Sequence, residues 1–284
     1  RVARRGARRR LRVPQVQANG LSFHVQELRG GPSEGTSNGS SDSPAAVARP
    51  KVVMLHGLVI DNLSSWYYTI AHPMALEADV HLYDLRGHGR TEQPASGYSV
   101  DENVDDLVAL LDHWGIDEPV HLFGNSFGGV VSLAMAHRHP ERVASLFLIE
   151  AHFAVEGWGE HMAGSLALAA FGLDEDAVQD WLAENADRKL SRLAKRSERF
   201  LMETSLIDDL QAEKPIDWLA EIACPTFAIY GSESDILDRA RELEAKVPGC
   251  ELEIVPGSSH SLLTEESNLI RERALAWIAR TQRG

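Results

Sequence analysis

Residues 123–130 read FGNSFGGV, with a single serine flanked by glycines two positions before and after it. The buried apolar run PVHLF leads into this stretch and predicts a strand, and the composition of GGVVSLAMAHRH behind it predicts a helix. Ser126 is therefore expected on a sharp turn between a strand and a helix. Gly124 and Gly128 would remove side chains that neighbouring backbone could not accommodate there.

The spacing G-x-S-x-G in this context is typical of a turn that exposes a reactive serine. Backbone N–H groups at a helix start are unpaired and attract negative charge, so the Phe127 N–H is expected to bind an oxyanion. A second donor, Leu58 N–H, is expected in the loop after the strand run KVVML, where it follows His56 and Gly57. A nucleotide-binding glycine turn is the alternative, but its G-x-G-x-x-G spacing is absent.

Short apolar runs alternate with amphipathic helical stretches along most of the chain. This rhythm predicts an α/β fold with a mostly parallel central sheet and helices on both faces. The stretch LSFHVQEL alternates as a half-buried strand, and VDENVDDLVALLDHW places its apolar residues on one helical stripe. The remaining predicted strand runs are 51–57, 80–84, 120–123, 143–149, 226–230 and 252–255.

The same patterns divide the chain into regions. Residues 1–20 are predicted to be a basic, disordered arm, since seven arginines fall in the first twelve positions. Residues 21–151 and 218–284 are predicted to form the α/β core, interrupted at 30–50 by a flexible loop rich in Gly, Ser and Pro. Residues 152–217 lack strand runs and are predicted to form a helical cap over the ligand-binding edge of the sheet.

A nucleophilic serine needs a base, and the base needs an orienting acid. His260 follows the last strand run and would emerge at the same sheet edge as Ser126. Asp235 follows the preceding strand, and the order Ser126, Asp235, His260 favours it as the acid. Glu150, at the end of the run SLFLIE, is the alternative acid because it would project toward the same edge.

The predicted cap also supplies candidate pocket walls. Trp158, Phe171 and Trp181 are expected to bind an apolar part of the substrate, and Asn125 to contact the substrate beside the serine. His161, on the cap, is expected to be structural or solvated.

Composition limits the partners and the compartment. The net charge of −14 argues against nucleic-acid binding by the body of the chain, and no apolar run is long enough for a stable membrane insertion. Two cysteines indicate a reducing, cytoplasmic compartment. No metal-ligand spacing occurs, so neither a metal nor another cofactor is expected. The expected partners are a small molecule with an apolar part and, as a homodimer, a second copy of the chain.

Taken together, these motifs resemble the α/β-hydrolase superfamily over about residues 50–280. The matching stretches are HG at 56–57, YDLRGHGRT at 83–91, GNSFGG at 124–129, HPERV at 139–143, YGSESD at 230–235 and GSSH at 257–260. The resemblance implies an α/β-hydrolase fold with a helical cap. It also implies a cofactor-free serine hydrolase that transfers the acyl group of an ester, lactone or thioester.

Looser similarities leave alternatives open. GNSFGG resembles the G-N-S-M-G-G of carbon–carbon bond hydrolases, although HSLLTEE lacks the tryptophan that those enzymes carry after the histidine. The 23 arginines against five lysines suggest a GC-rich bacterium, and with it a resemblance to hydrolases of antibiotic and polyketide pathways. Two further alternatives exist on the same fold. One is a noncatalytic ligand-binding protein, and the other is a cofactorless oxygenase or dehydratase that uses His260 and Asp235.

Overall fold

The computed structural model describes residues 14–30, 49–172 and 188–282, and an eight-stranded sheet runs through these ranges in the order β1-β2-β4-β3-β5-β6-β7-β8. The β1–β2 and β2–β4 pairs are antiparallel and the other five pairs are parallel. The strands are β1 Gln15–Ala18, β2 Leu21–Arg29, β3 Lys51–Leu55, β4 Asp79–Tyr83, β5 Val120–Asn125, β6 Val143–Ile149, β7 Thr226–Gly231 and β8 Glu251–Val255. The predicted mostly parallel α/β fold is confirmed.

Helices flank this sheet on both faces. In chain order they are α1 Ser64–Trp66, which continues through the π-helical turn Tyr67–Ala71 into α2 His72–Met74, then α3 Val100–Trp114, α4 Phe127–Arg138, α5 Trp158–Gly172, α6 Arg188–Glu203, α7 Leu206–Ala212, α8 Leu237–Lys246, α9 Leu262–Glu265 and α10 Ser267–Thr281. Two short 3₁₀ turns, Pro140–Arg142 and Leu219–Glu221, precede β6 and β7.

The central strands are mostly apolar because both faces of the sheet are covered, and the buried polar pair His121 and Ser145 is joined by a hydrogen bond of 2.7 Å. Along β5, Leu122 packs into the core on the α3 and α4 side, whereas Phe123 packs into the core on the α10 side. Phe123 stacks on Phe147 of β6, with ring centroids 4.7 Å apart. This double burial fixes β5 in the middle of the sheet, and so fixes where the residues after it emerge.

Helix α3 shows why the predicted boundaries agree with the structure. The Ser99 hydroxyl accepts a hydrogen bond from the Glu102 N–H while the Glu102 carboxylate accepts one from the Ser99 N–H. This capping box begins the helix. Gly115 ends it in the left-handed conformation, at φ 66°.

The first described residues differ from the predicted disordered arm of residues 1–20. Gln15–Ala18 form strand β1 and pair with β2, so the predicted arm extends too far. The reason is a two-residue hairpin turn in which Asn19 and Gly20 both have positive φ, 44° and 76°. Asn-Gly is the sequence signature of this turn. Residues 1–13 and 31–48, and with them most of the predicted arm and loop, lie outside the described residues.

Between β6 and β7 the described residues form helices α5, α6 and α7. Helices α5 and α7 approach closely at Gly159, where an added Cβ would lie 2.5 Å from the Leu210 carbonyl oxygen. The predicted cap spans these helices, although residues 173–187 lie outside the described part of the chain. No helix within the described ranges is long and apolar enough to cross a bilayer.

Candidate active site

Ser126 lies at the tight turn between β5 and α4. Its backbone angles, φ 51° and ψ −116°, are strained for a residue with a side chain. The turn is held by a hydrogen bond from the Ser126 N–H to the Ile149 carbonyl of β6, at 2.8 Å. An added Cβ at Gly124 would lie 2.5 Å from the Gly128 carbonyl oxygen, and one at Gly128 would collide with the Leu55 carbonyl. Both glycines are therefore steric requirements of the turn.

His260 lies in the loop between β8 and α9 and faces the serine. Its Nε2 is 3.1 Å from Ser126 Oγ, within hydrogen-bond distance. In this arrangement the hydroxyl donates to an unprotonated Nε2. The structure therefore brings together the predicted nucleophile and the predicted base, which are 134 positions apart in the sequence.

Two carboxylates approach the other ring nitrogen of His260. Nδ1 lies 3.3 Å from Glu150 Oε2 and 3.9 Å from Asp235 Oδ1. Both separations are within ion-pair range once the ring is protonated, and in this structure Nδ1 makes no hydrogen bond to the described residues. The Glu150 side chain is fully buried, whereas that of Asp235 is 64% exposed. Sequence order favoured Asp235, but distance and burial favour Glu150.

The Glu150 carboxylate is held rigidly in place. Its Oε1 accepts a hydrogen bond from the Gly231 N–H at 2.5 Å, and its Oε2 accepts one from the Ser234 hydroxyl at 2.5 Å. The Glu150 backbone has a positive φ of 49° directly after β6. A non-glycine residue in this strained conformation occurs where the surrounding structure imposes it, often at functional sites.

The loop after β3 lies beside the serine. The Gly57 N–H donates to Asp61 Oδ2 at 2.8 Å. A Cβ added at Gly57 would lie 3.4 Å from Ser126 Cβ. Neither Leu58 N–H nor Phe127 N–H has a hydrogen-bond partner among the described residues. These are the two donors that the sequence assigns to the oxyanion, and both belong to segments that touch the serine turn.

Two buried histidines fix this loop. His56 Nε2 accepts a hydrogen bond from the Leu85 N–H, and His88 Nε2 accepts one from the Val59 N–H at 2.8 Å. Each ring can then donate from Nδ1, to the Gly57 and Arg86 carbonyls respectively. Burial, together with the neighbouring His56, lowers the pKa of His88 to about 3, so its ring stays neutral and keeps accepting from Val59.

The serine opens into a cavity of about 500 Å³. Its apolar lining comes mainly from Ile60, Met162, Leu166 and Leu263. Its polar lining comes from Asp61, Ser65, Asn125, Ser126, His152, His161, Asp235, His260, Ser261 and Thr264. Asn125 Nδ2 is 3.4 Å from Asp61 Oδ2, and Asn125 Oδ1 is buried without a partner in the described residues. A larger hollow of about 680 Å³, between α4 and residues 209–218, includes neither Ser126 nor His260.

The predicted cap walls are only partly placed. Trp158 is buried and lines a smaller cavity of about 270 Å³ next to the serine cavity. The Phe171 side chain and the whole of Trp181 lie outside what the structure describes.

Two polar residues of the cavity, Asp61 and His152, were not singled out from the sequence. His161 also lines the cavity, and it is exposed, which agrees with the expectation that it is solvated. Asp61 follows His56 by five positions in the loop after β3, and His152 follows Glu150 by two. Their position just after strands β3 and β6 is the signal that could have found them. Among the described residues, no cluster of three or more His, Cys, Asp or Glu side chains is arranged to hold a metal ion.

Sequence comparison extends these observations. The profile for the alpha/beta hydrolase fold matches residues 50–204. The acetyltransferase component of the acetoin cleaving system of Pseudomonas putida is 28% identical over 80% of this chain and 63% of its own length. Lipase LipV of Mycobacterium tuberculosis is 39% identical over 40% of this chain and 41% of its own length. A 2-hydroxymuconate semialdehyde hydrolase of Pseudomonas sp. (strain CF600) is 35% identical over 47% of this chain and 51% of its own length. The chain therefore spans less than two thirds of each of these relatives.

Solved structures agree on the fold. A putative lipase from Acinetobacter baumannii superposes with a TM-score of 0.76 and 18% identity, over 95% of this chain and 91% of that one. Est816, described as an N-acyl homoserine lactone degrading enzyme, superposes with a TM-score of 0.69 and 23% identity, over 93% of this chain and 99% of that one.

The mostly parallel sheet with its antiparallel β1 and β2, and the serine on the strand-to-helix turn after β5, define a class of α/β proteins. Because the family profile covers more than half of the chain, the protein belongs to the α/β-hydrolase fold family.

Proposed function

We propose that this protein is a serine hydrolase that cleaves a carboxylic ester, lactone or thioester by acyl transfer. One observation carries the proposal: Ser126 Oγ lies 3.1 Å from His260 Nε2 on a strained strand-to-helix turn. A nucleophile within hydrogen-bond distance of a base, with a carboxylate on the far side of that base, is the arrangement that nucleophilic acyl transfer requires.

In the proposed reaction, His260 Nε2 takes the hydroxyl proton as Ser126 Oγ attacks the carbonyl carbon. The N–H groups of Phe127 and Leu58 then donate to the oxygen of the tetrahedral intermediate. As the intermediate collapses, His260 returns the proton to the leaving oxygen or sulfur, and the acyl group remains on Ser126. Water, deprotonated by His260, attacks the acyl group, and the acid leaves as Ser126 regains its proton.

We assign the acid to Glu150 rather than Asp235. A buried carboxylate fixed by two short hydrogen bonds can hold the imidazole in one orientation and offset the charge of the imidazolium. An exposed carboxylate at 3.9 Å is screened by water and its interaction is correspondingly weaker.

The Asp61 carboxylate supports the proposed oxyanion site indirectly. By accepting from the Gly57 N–H, it orients the loop that carries Leu58, and the neutral His88 holds the next residue, Val59. Leu58 N–H and Phe127 N–H are then left for the substrate oxygen.

For the substrate, we propose a small molecule with an apolar part, in line with the apolar lining of the serine cavity. A bacterial natural product handled in the cytoplasm fits the arginine-rich composition and the low cysteine content.

Hydrolysis of short p-nitrophenyl esters tests the proposal. The wild type is expected to hydrolyse them, and Ser126→Ala to lose about 10³-fold or more in kcat, because the nucleophile is removed. Ser96→Ala is the matched control, since Ser96 is exposed and lies outside the cavity. Equal activity in wild type and Ser126→Ala would contradict the proposal.

Carbon–carbon bond hydrolysis is the second candidate. It is favoured by the sequence GNSFGG and by the relative named 2-hydroxymuconate semialdehyde hydrolase. Incubation with 2-hydroxymuconate semialdehyde, followed by mass analysis of the products, separates the two. Cleavage of this compound faster than of the p-nitrophenyl esters would move the assignment to the second candidate.

A further inference from the structure

A second histidine faces the serine cavity beside His260. His152 follows β6, is 6% exposed, and lines both the serine cavity and the adjoining smaller cavity. Its ring meets that of His260 edge to face, with centroids 5.2 Å apart. The reaction proposed above does not use this residue.

His152 has unused hydrogen-bonding capacity. Neither ring nitrogen has a hydrogen-bond partner among the described residues, in contrast to His56 and His88, whose two nitrogens are both engaged. Burial, with the nearby His260, lowers the pKa of His152 to about 3. The ring therefore presents one N–H donor and one nitrogen acceptor at neutral pH. The side chain as a whole is largely buried, but its ring nitrogens are open to the cavities that it lines, where a ligand group can take the place of water as their partner.

The surroundings define the charge of that ligand group. Asp235 lines both cavities, and Asp238 lines the smaller one, so an anion is disfavoured. Arg239, which could attract an anion, is paired with Glu242 at 2.5 Å. A neutral group that can both donate and accept, such as a hydroxyl, matches His152 best.

The position of His152 also indicates which part of the substrate it meets. The base that deprotonates Ser126 must later protonate the leaving oxygen, so the alcohol part of an ester lies on the His260 side of the serine. His152 packs against that same ring.

We infer that His152 is a specificity-determining residue that hydrogen-bonds a second hydroxyl on the alcohol part of the substrate, so that monoesters of diols and polyols are preferred. This inference rests on the proposed hydrolase function. His152 would act on substrate choice and not on the bond-breaking step.

The test compares 2-hydroxyethyl hexanoate with propyl hexanoate, which differ by a hydroxyl in place of a methyl group. The wild type is expected to show a higher kcat/KM for the hydroxyethyl ester. In His152→Phe the ratio of the two kcat/KM values should fall about tenfold, because one hydrogen bond is lost from one substrate only. His152→Gln, which can donate and accept, should restore part of the ratio. His113→Phe, an exposed histidine of α3, is the matched control and should leave it unchanged.

Binding of the same two esters to Ser126→Ala, measured by calorimetry, makes the test independent of turnover. If the wild type hydrolyses neither ester, the hydrolase proposal fails, while the binding comparison still decides the role of His152. Equal binding of the two esters, or an unchanged preference when His152→Phe is added to Ser126→Ala, overturns the inference.

Discussion

At the scale of single residues, Glu150 and Asp235 differ in burial as well as in distance from His260. Glu150 is enclosed and receives hydrogen bonds from Gly231 and Ser234, whereas Asp235 is mostly open to water. Removing the charge of a fixed, buried acid changes the orientation and the protonation of the imidazole. Removing the charge of an exposed acid changes mainly a screened interaction.

We therefore expect Glu150→Gln to lower kcat by about 10²–10⁴-fold with little change in KM. Asp235→Asn should lower it by about fivefold or less. Steady-state kinetics on a p-nitrophenyl ester, with circular dichroism to check folding, measures both. A larger loss in Asp235→Asn than in Glu150→Gln would return the acid role to Asp235.

Some site residues could be predicted from the sequence because they follow a strand, whereas others are recognised only from the position of their side chains in the structure. Ser126 and His260 could be placed because each follows a recognisable strand, and parallel strands end at one edge of a sheet. Two carboxylates, Glu150 and Asp235, meet the same criterion, and only their side-chain burial and reach distinguish them. Asp61 and His152 also follow strands, β3 and β6, but whether their side chains face the cavity depends on how the loops fold over the sheet.

At the scale of elements, the contact between β5, α4 and β3 depends on glycine. An added Cβ at Gly128 would meet the Leu55 and His56 carbonyls of the neighbouring segment, and this backbone cannot move without disturbing β3. The serine turn and the loop after β3 are therefore packed directly against each other. Their relative position is a property of the sheet and not of flexible side chains.

Gly128→Ala is expected to destabilise the fold by about 1–3 kcal/mol through overpacking, and to lower ester hydrolysis further than instability alone explains. Gly164→Ala is its matched control. Gly164 is exposed in α5 with no atom within 4 Å of an added Cβ, so this change should stabilise by about 0.5–1 kcal/mol. Urea unfolding measures both. An unchanged free energy of unfolding in Gly128→Ala would show that the packing around this glycine is looser than described.

The fold itself could be predicted closely at this scale because propensity, capping and burial agree. Helix α3 begins and ends at the expected residues since Ser99, Glu102 and Gly115 supply its caps. The start of the fold could not be placed from charge alone. Seven arginines pointed to a disordered arm, while the Asn19-Gly20 turn that pairs β1 with β2 carried the decisive information.

At the scale of the whole molecule, several histidines are buried in the neutral form. Burial lowers the pKa values of His81 and His121 to about 4, and those of His88 and His152 to about 3. In the unfolded chain such groups titrate near 6.5. Between these values the unfolded state binds more protons than the folded state, so the stability that these residues contribute is present above about pH 6.5 and is lost as the pH falls.

The free energy of unfolding is therefore expected to decrease steadily from about pH 6.5 toward pH 4. Asp106 and Glu213, whose pKa values burial raises, act in the opposite direction and reduce the slope. Urea unfolding at half-unit pH steps measures this dependence, and His121→Gln should make it shallower. A free energy of unfolding that stays constant or increases as the pH falls over this range would show that the histidines are not held neutral.

The central claim is that Ser126 is a nucleophile activated by His260. Its most direct test is labelling with a fluorophosphonate, followed by mass spectrometry of the intact protein and of its peptides. We predict a single adduct, carried by Ser126, that is absent in Ser126→Ala and forms far more slowly in His260→Ala. Full labelling of Ser126→Ala, or an adduct on another residue of the wild type, would contradict the account.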